Sequence, residues 1–457
     1  MRQPAIAVER QDGISGTFVL SRRQPPSGWA TISWSGIVGS QRDLDFLDPQ
    51  ALQRPFAFYD RVRKSRPVYK LPVSPIPGKE VFLVTSYDLV RSIGQDWRSF
   101  SNQFGFMMNQ AVEDDDEIGA ILADGHPWMD TLLTQDPPIH RQYRNLVARA
   151  FGPARIRRMS DYIEGLCDEL IDGFIARGEC DFFADFAVPL PIYVMADQLG
   201  VARADLPFFK RLADDYIRSI GGMYGREGAL KGARALVAIQ QYFAKVIETR
   251  RGGSTDDVVG ELVNARLEDG TLVEVPVLLS LLHQLLIAGS EAPRNAAAGG
   301  IAHILQTPGL KDRLLADPSL MGPVVEEILR LEAPTKNMWR VVVHDTEIGG
   351  VSVSAGAILL LSYDAGNHDP AEFPRPNEFD PARPNLSRHL SFGGGIHFCI
   401  GSQLARKELA IAFDRLLTRL PNLRLTEGLN PLEYAPSILH RAFTSLHLSF
   451  DACSAHR

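Results

Sequence analysis

Cysteine is scarce: Cys167, Cys180, Cys399 and Cys453 are the only four in 457 residues. So few, so widely scattered, they exclude a disulfide-stapled scaffold and read as thiols of a reducing compartment. An excess of positive charge is lacking as well. The net charge of −7 argues against a protein devoted to nucleic acid or to an anionic membrane surface. Long apolar runs are missing too. The nearest, Val275 to Gly289, is interrupted by His283 and Gln284 and is too short for a membrane span. Met1 to Gln11 has no apolar stretch of the kind a secretory signal needs. What remains is 45% hydrophobic and 23% charged, the balance of a globular protein with a sizeable core.

Helical periodicity dominates the pattern. Residues 1–45, broken at Pro25-Pro26-Ser27-Gly28, read as an N-terminal extension, and 46–457 as a single domain. Val73, Val81, Leu83 and Val84 around Pro77-Gly78 predict a strand pair, followed by helix from Ser86. Ser101 to Gln135 reads as an irregular loop holding Phe104, Phe106, Met107, Met108, Trp128 and Met129. A long loop rich in aromatics and methionine is more often functional than ornamental. Helices are expected over Ile156–Ala176, Leu190–Leu199, Ala204–Ile220 and Gly228–Arg251, with Gly221 to Gly225 a mobile link. The longest helical pattern runs from Pro276 to Gln306, and another helix covers Met321 to Leu331. Two or three short strands are expected between Trp339 and Leu361, broken at Gly349-Gly350. The fold class is therefore mainly α with a small β region.

Chemistry concentrates in Ser391-Phe392-Gly393-Gly394-Gly395-Ile396-His397-Phe398-Cys399-Ile400-Gly401, which leads into a helical segment from Ser402 to Leu420. Cys399 thus sits just before a helix N-terminus, where exposed N–H groups and the macrodipole favour a thiolate. The glycines permit tight turning and close approach to a flat cofactor. A thiolate in such a loop suits a nucleophile or a soft metal ligand, haem iron among them. A phosphate cradle at Gly393 to Gly395 is the weaker reading, because no strand and acidic partner are arranged for a dinucleotide.

This loop resembles the haem-ligand motif of the cytochrome P450 superfamily, Phe-x-x-Gly-x-His-x-Cys-x-Gly, at Phe392, Gly395, His397, Cys399 and Gly401. The resemblance extends from about Phe46 to Phe450. It implies haem b held by Cys399, lying between the long central helix and the cysteine loop, and O2 as co-substrate. His140 and Arg144 stand one helical turn apart and resemble the family's propionate-binding pair; Arg340 resembles its strand arginine. Glu327 and Arg330, with Arg383, resemble its structural brace. The resemblance also implies a lid of two helices over the pocket, and pocket-lining roles for Phe106, Met107, Lys336, Asn337, Met338, Trp339 and Phe443. Gln284, one turn before Ala288, either looks into that pocket or contacts a neighbour.

On the long helix, Ile287-Ala288-Gly289-Ser290-Glu291-Ala292-Pro293 occupies the place of the family's Ala-Gly-x-(Asp/Glu)-Thr motif. The small Ala288 and Gly289 would leave room for dioxygen and substrate, and Glu291 matches the proton-delivering acid. The threonine is absent, replaced by Ala292. Pro293 lacks an N–H and should kink the helix, freeing the Gly289 carbonyl to hold a water. Proton delivery through Glu291 and water, or through a substrate hydroxyl, is the expectation. Use of peroxide, a reaction other than hydroxylation, or haem binding without turnover are the alternatives.

The absence of an anchor resembles the soluble bacterial members and implies a cytoplasmic protein served by a separate ferredoxin and reductase. Arg141, Arg406 and Lys407 would form a basic patch for the acidic partner. The substrate is expected to be a small lipophile such as a terpenoid, steroid, fatty acid or polyketide.

Overall fold

The computed structural model describes residues 45–107, 115–220, 225–253 and 257–453. The expected extension lies outside them up to residue 44, as do Met108 and residues 221–224 of the expected link. Early in the chain come α1 (Pro49–Gln53), α2 (Phe56–Ser65), α3 (Tyr87–Gln95), α4 (Asp116–Ala123), α5 (Ile139–Ala150) and α6 (Pro153–Asp172). The middle holds α7 (Pro189–Gln198), α8 (Leu206–Ile220), α9 (Gly225–Arg250), α10 (Val258–Asn264) and the long α11 (Val275–Gln306). After it follow α12 (Leu310–Ala316), α13 (Met321–Glu332), α14 (Tyr363–Asn367) and α15 (Ser402–Arg419).

Strands are short: β1 (Val68–Lys70), β2 (Val81–Val84), β3 (Phe100–Ser101), β4 (Glu179–Asp181), β5 (Asn337–Val342), β6 (Thr346–Ile348), β7 (Val351–Val353), β8 (Ile358–Ser362), β9 (Arg424–Leu425) and β10 (His447–Ser449). The expected strand pair is β1–β2, turning near Gly78 at φ +69°. It joins a five-stranded sheet in the order β1-β2-β8-β5-β3, in which β2 runs parallel to β8. The β6–β7 turn uses Gly349 and Gly350, both at positive φ, where a Cβ is disfavoured.

The helix expectations hold within a few residues. Two elements depart from them. The loop Ser101–Gln135 contains α4, because Asp115 caps it: its carboxylate accepts from Glu117 N and Ile118 N. The acidic run is thus a helix start. Helix α10 is likewise capped by Asp257, which accepts from Gly260 N.

Helix α11 runs unbroken across Pro293, with Pro276 in its first turn. By length and composition alone it could cross a membrane, but most of it is buried among the other helices. The largest apolar cluster surrounds it with side chains of α7, α13 and α15. Small residues set these approaches. A Cβ on Gly300 would lie 2.4 Å from Phe413 Cζ, and one on Gly299 would overlap Glu332. Two further clusters cover the opposite faces of the five-stranded sheet.

Candidate active site

The cysteine loop ends where α15 begins. Gly393 and Gly395 both adopt positive φ, and Cys399 N donates to Phe392 O at 2.9 Å, closing the loop on itself. Gly395 is required by the protein's own packing: a Cβ there would sit 2.6 Å from Gly94 O of α3. The tight turn expected of these glycines is thus present, and at Gly395 the α3 backbone adds a second reason for the missing Cβ. Phe392 is buried, 6.2 Å from the Phe398 ring and beneath the Arg406 guanidinium at 4.4 Å.

The loop is fastened from behind. Asn367 Oδ1 accepts from Leu390 N at 2.6 Å, its Nδ2 donates to Ser391 Oγ at 2.8 Å, and Ser391 Oγ donates to Leu329 O at 2.6 Å. Arg330 donates to Asn367 O at 2.8 Å and reaches Glu327 through two bonds of 2.7 and 2.8 Å. Arg383 Nε completes the trio at 3.0 Å from Glu327 Oε1. Glu327 and Arg330 are 0% exposed, so every polar atom needs such a partner.

Four nitrogen-bearing side chains gather beside Cys399. The His140 and His397 rings lie 4.2 Å apart. Arg144 Nη2 donates to Phe398 O at 2.7 Å, and buried Arg340 on β5 donates to Trp339 O at 2.7 Å. Asp136 anchors the start of α5, accepting from Ser101 Oγ at 2.5 Å and Asn102 N at 3.1 Å. Burial and the Arg144 charge push His140 down to about 4, against the pull of Asp136. Burial, then His140, Arg340 and Arg144, push His397 down to about 2. Nε2 of both imidazoles is buried without a hydrogen-bond partner among the described residues, although Asp136 Oδ1 lies 4.0 Å from that of His397. Arg144 and Arg340 supply the positive charge of this cluster, while the two imidazoles stay neutral until an anion approaches; two carboxylates would balance the arginines and favour protonated, donating imidazoles.

The thiol itself departs from expectation. Burial raises Cys399 above its ordinary value, against the opposing effects of Gly401 N–H, Arg144 and Arg406. Coordination to a metal ion would hold the sulfur as a thiolate.

On α11, Ala288 is exposed while the helix around it is largely buried, and Gln284 and Ala292 on the same face are half-buried. Open space thus borders this face. Gln284 Oε1 accepts from Thr131 Oγ1 at 3.3 Å, a contact to the neighbouring segment. Gly289 points elsewhere: a Cβ would lie 2.6 Å from Met195 Cγ and Sδ of α7. Its smallness serves helix packing, which corrects the expectation of space for dioxygen. Glu291 is buried, 3.3 Å from Arg294 Nη2 and 3.5 Å from His440 Nδ1, and Arg294 also faces Asp214 of α8 at 3.8 Å.

Several expected pocket residues are elsewhere. Strand alternation puts Met338 and Arg340 on one face of β5 and sends Trp339 to the other, into the third apolar cluster. Lys336 is buried, donating to Leu52 O at 2.9 Å, and Asn337 donates to Ile438 O. Phe443 packs on Tyr434 at 4.5 Å inside the core. Phe106 is 37% exposed beneath Lys79 Nζ, and Met107 packs at the edge of the third cluster. Arg406, expected in a basic patch, is engaged by Glu326 at 2.5 Å.

Sequence reasoning missed His440 and Asn295. Asn295 lies one turn beyond Glu291, a spacing that could have flagged it, and both its amide atoms are buried without partners among the described residues. His440 reaches Glu291 only through tertiary folding and left no local signal.

Comparison with known proteins agrees with this geometry. The family model described as Cytochrome P450 matches residues 306–422. Over 410 residues the chain is 36% identical to the steroid C26-monooxygenase of Mycobacterium tuberculosis H37Rv, covering 89% of this chain and 97% of that one. The chain belongs to the cytochrome P450 family. It is also 32% identical to the P450 monooxygenase PikC of Streptomyces venezuelae over 407 residues, 88% of this chain and 93% of that one. Among solved structures, CYP109Q5 from Chondromyces apiculatus superposes with a TM-score of 0.77 at 29% identity, covering 91% of this P450 and all of that chain. As a P450, the protein is an oxygen-incorporating oxidoreductase whose cofactor is haem b and whose co-substrate is O2. The residues present fit that cofactor: Arg144 lies near the Cys399 sulfur, and His397 of the same loop meets His140, Arg144 and Arg340, with both imidazole Nε2 atoms lacking a hydrogen-bond partner among the described residues.

Proposed function

We propose that this P450 inserts one oxygen atom of O2 into a small lipophilic substrate, with electrons from a separate ferredoxin and reductase, and that 46–457 form one haem domain. Cys399 is the thiolate ligand, and His140, Arg144, Arg340 and His397 hold the propionates. The observation that carries the reading is the convergence of these four side chains on the cysteine loop, two of them with buried nitrogens that lack a hydrogen-bond partner among the described residues. Bound there, haem supplies the oxygen activation and electron transfer that no side chain provides. The chain supplies the sulfur, charge-assisted bonds that fix orientation, and a face at Ala288 that leaves space for substrate.

Glu291 handles protons at its carboxyl oxygens, with Arg294 and His440 orienting it. Asn295, with both amide atoms unmet, holds water one turn further on. With Ala292 in the threonine's position, delivery runs through Glu291 and water or through a hydroxyl of the substrate. Relatives named for steroid C26 monooxygenation and for polyketide biosynthesis support a lipophilic substrate. The exposed Arg141 and Lys407 are the cations offered to an acidic ferredoxin.

The deciding experiment is the carbon monoxide spectrum of the reduced protein. Wild type should give the thiolate-type band and Cys399→His the nitrogen-type band. A nitrogen-type band from folded wild type would refute the assignment. The missing hydroxyl at Ala292 also favours one second reading, a peroxide-driven reaction. Product formed with reductase, ferredoxin and O2, compared with product formed with hydrogen peroxide alone, separates the two.

A further inference from the structure

A second polar cluster lies on the N-terminal half of α11, away from Glu291. His283 is 2% exposed, and neither ring nitrogen has a hydrogen-bond partner among the described residues. Two rings close on it nearly edge-to-face: Tyr216 of α8 at 4.3 Å and 79°, and Trp128 at 5.4 Å and 88°. The indole Nε1 of Trp128 is itself buried, with no hydrogen-bond partner among the described residues.

The segment carrying Trp128 is held on both sides. Met129 N donates to Ser280 Oγ at 3.0 Å, and Thr131 Oγ1 donates to Gln284 Oε1 at 3.3 Å. Gln240 of α9 clamps His126, accepting from its N–H at 2.9 Å and donating to its carbonyl at 3.0 Å. Two buried polar groups without a hydrogen-bond partner among the described residues are thus held by fixed scaffolding, and an unsatisfied buried group is costly unless something bonds it.

The donor set defines what fits. An indole N–H only donates, whereas a neutral imidazole offers one donor and one acceptor. Burial keeps the ring neutral, pushing it down to about 3, so it carries no formal charge to attract a carboxylate. An uncharged oxygen matches: a hydroxyl or carbonyl that accepts from the indole and bonds the imidazole. The five steps from His283 to Ala288 span ~7.5 Å along the helix and turn about 140° around it, so an occupant that reaches both must curve round the helix.

We propose that Trp128 and His283 form a subsite that binds one uncharged hydroxyl or carbonyl oxygen of the lipophilic substrate, remote from the carbon that is oxidised beside Ala288. This rests on the monooxygenase reading above and specifies its substrate class.

The test is calorimetric titration of the haem-loaded enzyme with cyclododecanol, cyclododecanone and cyclododecane. Wild type should bind at least one oxygenated ring roughly tenfold or more tightly than the hydrocarbon. His283→Phe and Trp128→Phe should reduce that preference to about twofold or less, leaving hydrocarbon affinity in place. His283→Gln, which keeps a donor and an acceptor, should retain most of it. Wild type that shows no preference or binds none of the three overturns the proposal, as do aromatic variants that keep the preference. The unmet atoms would then hold only a structural water. A thiolate-type carbon monoxide band in the same preparation shows that the underlying reading survives such a failure; a nitrogen-type band shows that the reading itself has failed.

Discussion

Ala288 and Gly289 are chain neighbours with opposite surroundings: Ala288 is exposed beside the long helix, while Gly289 is pressed against the thioether of Met195. A helix turns about 100° per residue, so one step carries the chain from an open face to a packed one. Ala288→Leu should therefore change stability by only about 0.5 kcal/mol while weakening substrate binding roughly tenfold. Gly289→Leu should cost about 1–3 kcal/mol or more by overpacking. Urea denaturation and substrate titration of both variants check the contrast; equal stability losses would refute it.

The Glu327–Arg330–Arg383 trio should behave as a buried ionic network. Glu327→Gln leaves two buried guanidinium groups without their counter-charge and should cost roughly 3–5 kcal/mol. Because Arg330 is tied through Asn367 to the cysteine loop, haem content should fall with stability. Full haem loading in a strongly destabilised variant would show that the trio does not support the loop.

Proton handling is assigned to Glu291, so Glu291→Gln should lower turnover by about 10²–10⁴-fold. Ala292→Thr should leave electrons consumed per product within about twofold of wild type, since the relay does not need a hydroxyl there. A strong rise in coupling with the native substrate would mean that the alanine merely impairs the site.

Lys336 gives a pH signature of stability. Burial, then the Arg441 charge, brings it down to about 7 from its usual value near 10.5, against the pull of Asp364. Between those two values the unfolded chain binds more protons than the native one, so this lysine makes stability rise with pH from about 7 to about 10.5. Lys336→Met should flatten that rise and be neutral or stabilising near pH 7. Urea midpoints at pH 7 and 9.5 for both proteins measure it, and an unchanged pH slope in the variant would contradict the assignment.

The features legible from residue order were those made by neighbours in the chain. The glycine-rich approach to Cys399, the helix after it, the one-turn spacing of His140 and Arg144, and the three-residue spacing of Glu327 and Arg330 all depend on helical and turn geometry, which acts over a few residues. Folding alone decided which way residues faced when segments hundreds of positions apart met. Trp339 turned into the core because β5 pairs with β8, Arg406 was engaged by Glu326, and His440 came to Glu291 from the far end of the chain. The physical reason is range. Backbone sterics and periodicity are written locally, whereas burial, ion pairing and the unmet nitrogens of His140, His397 and His283 exist only once distant surfaces have excluded water together.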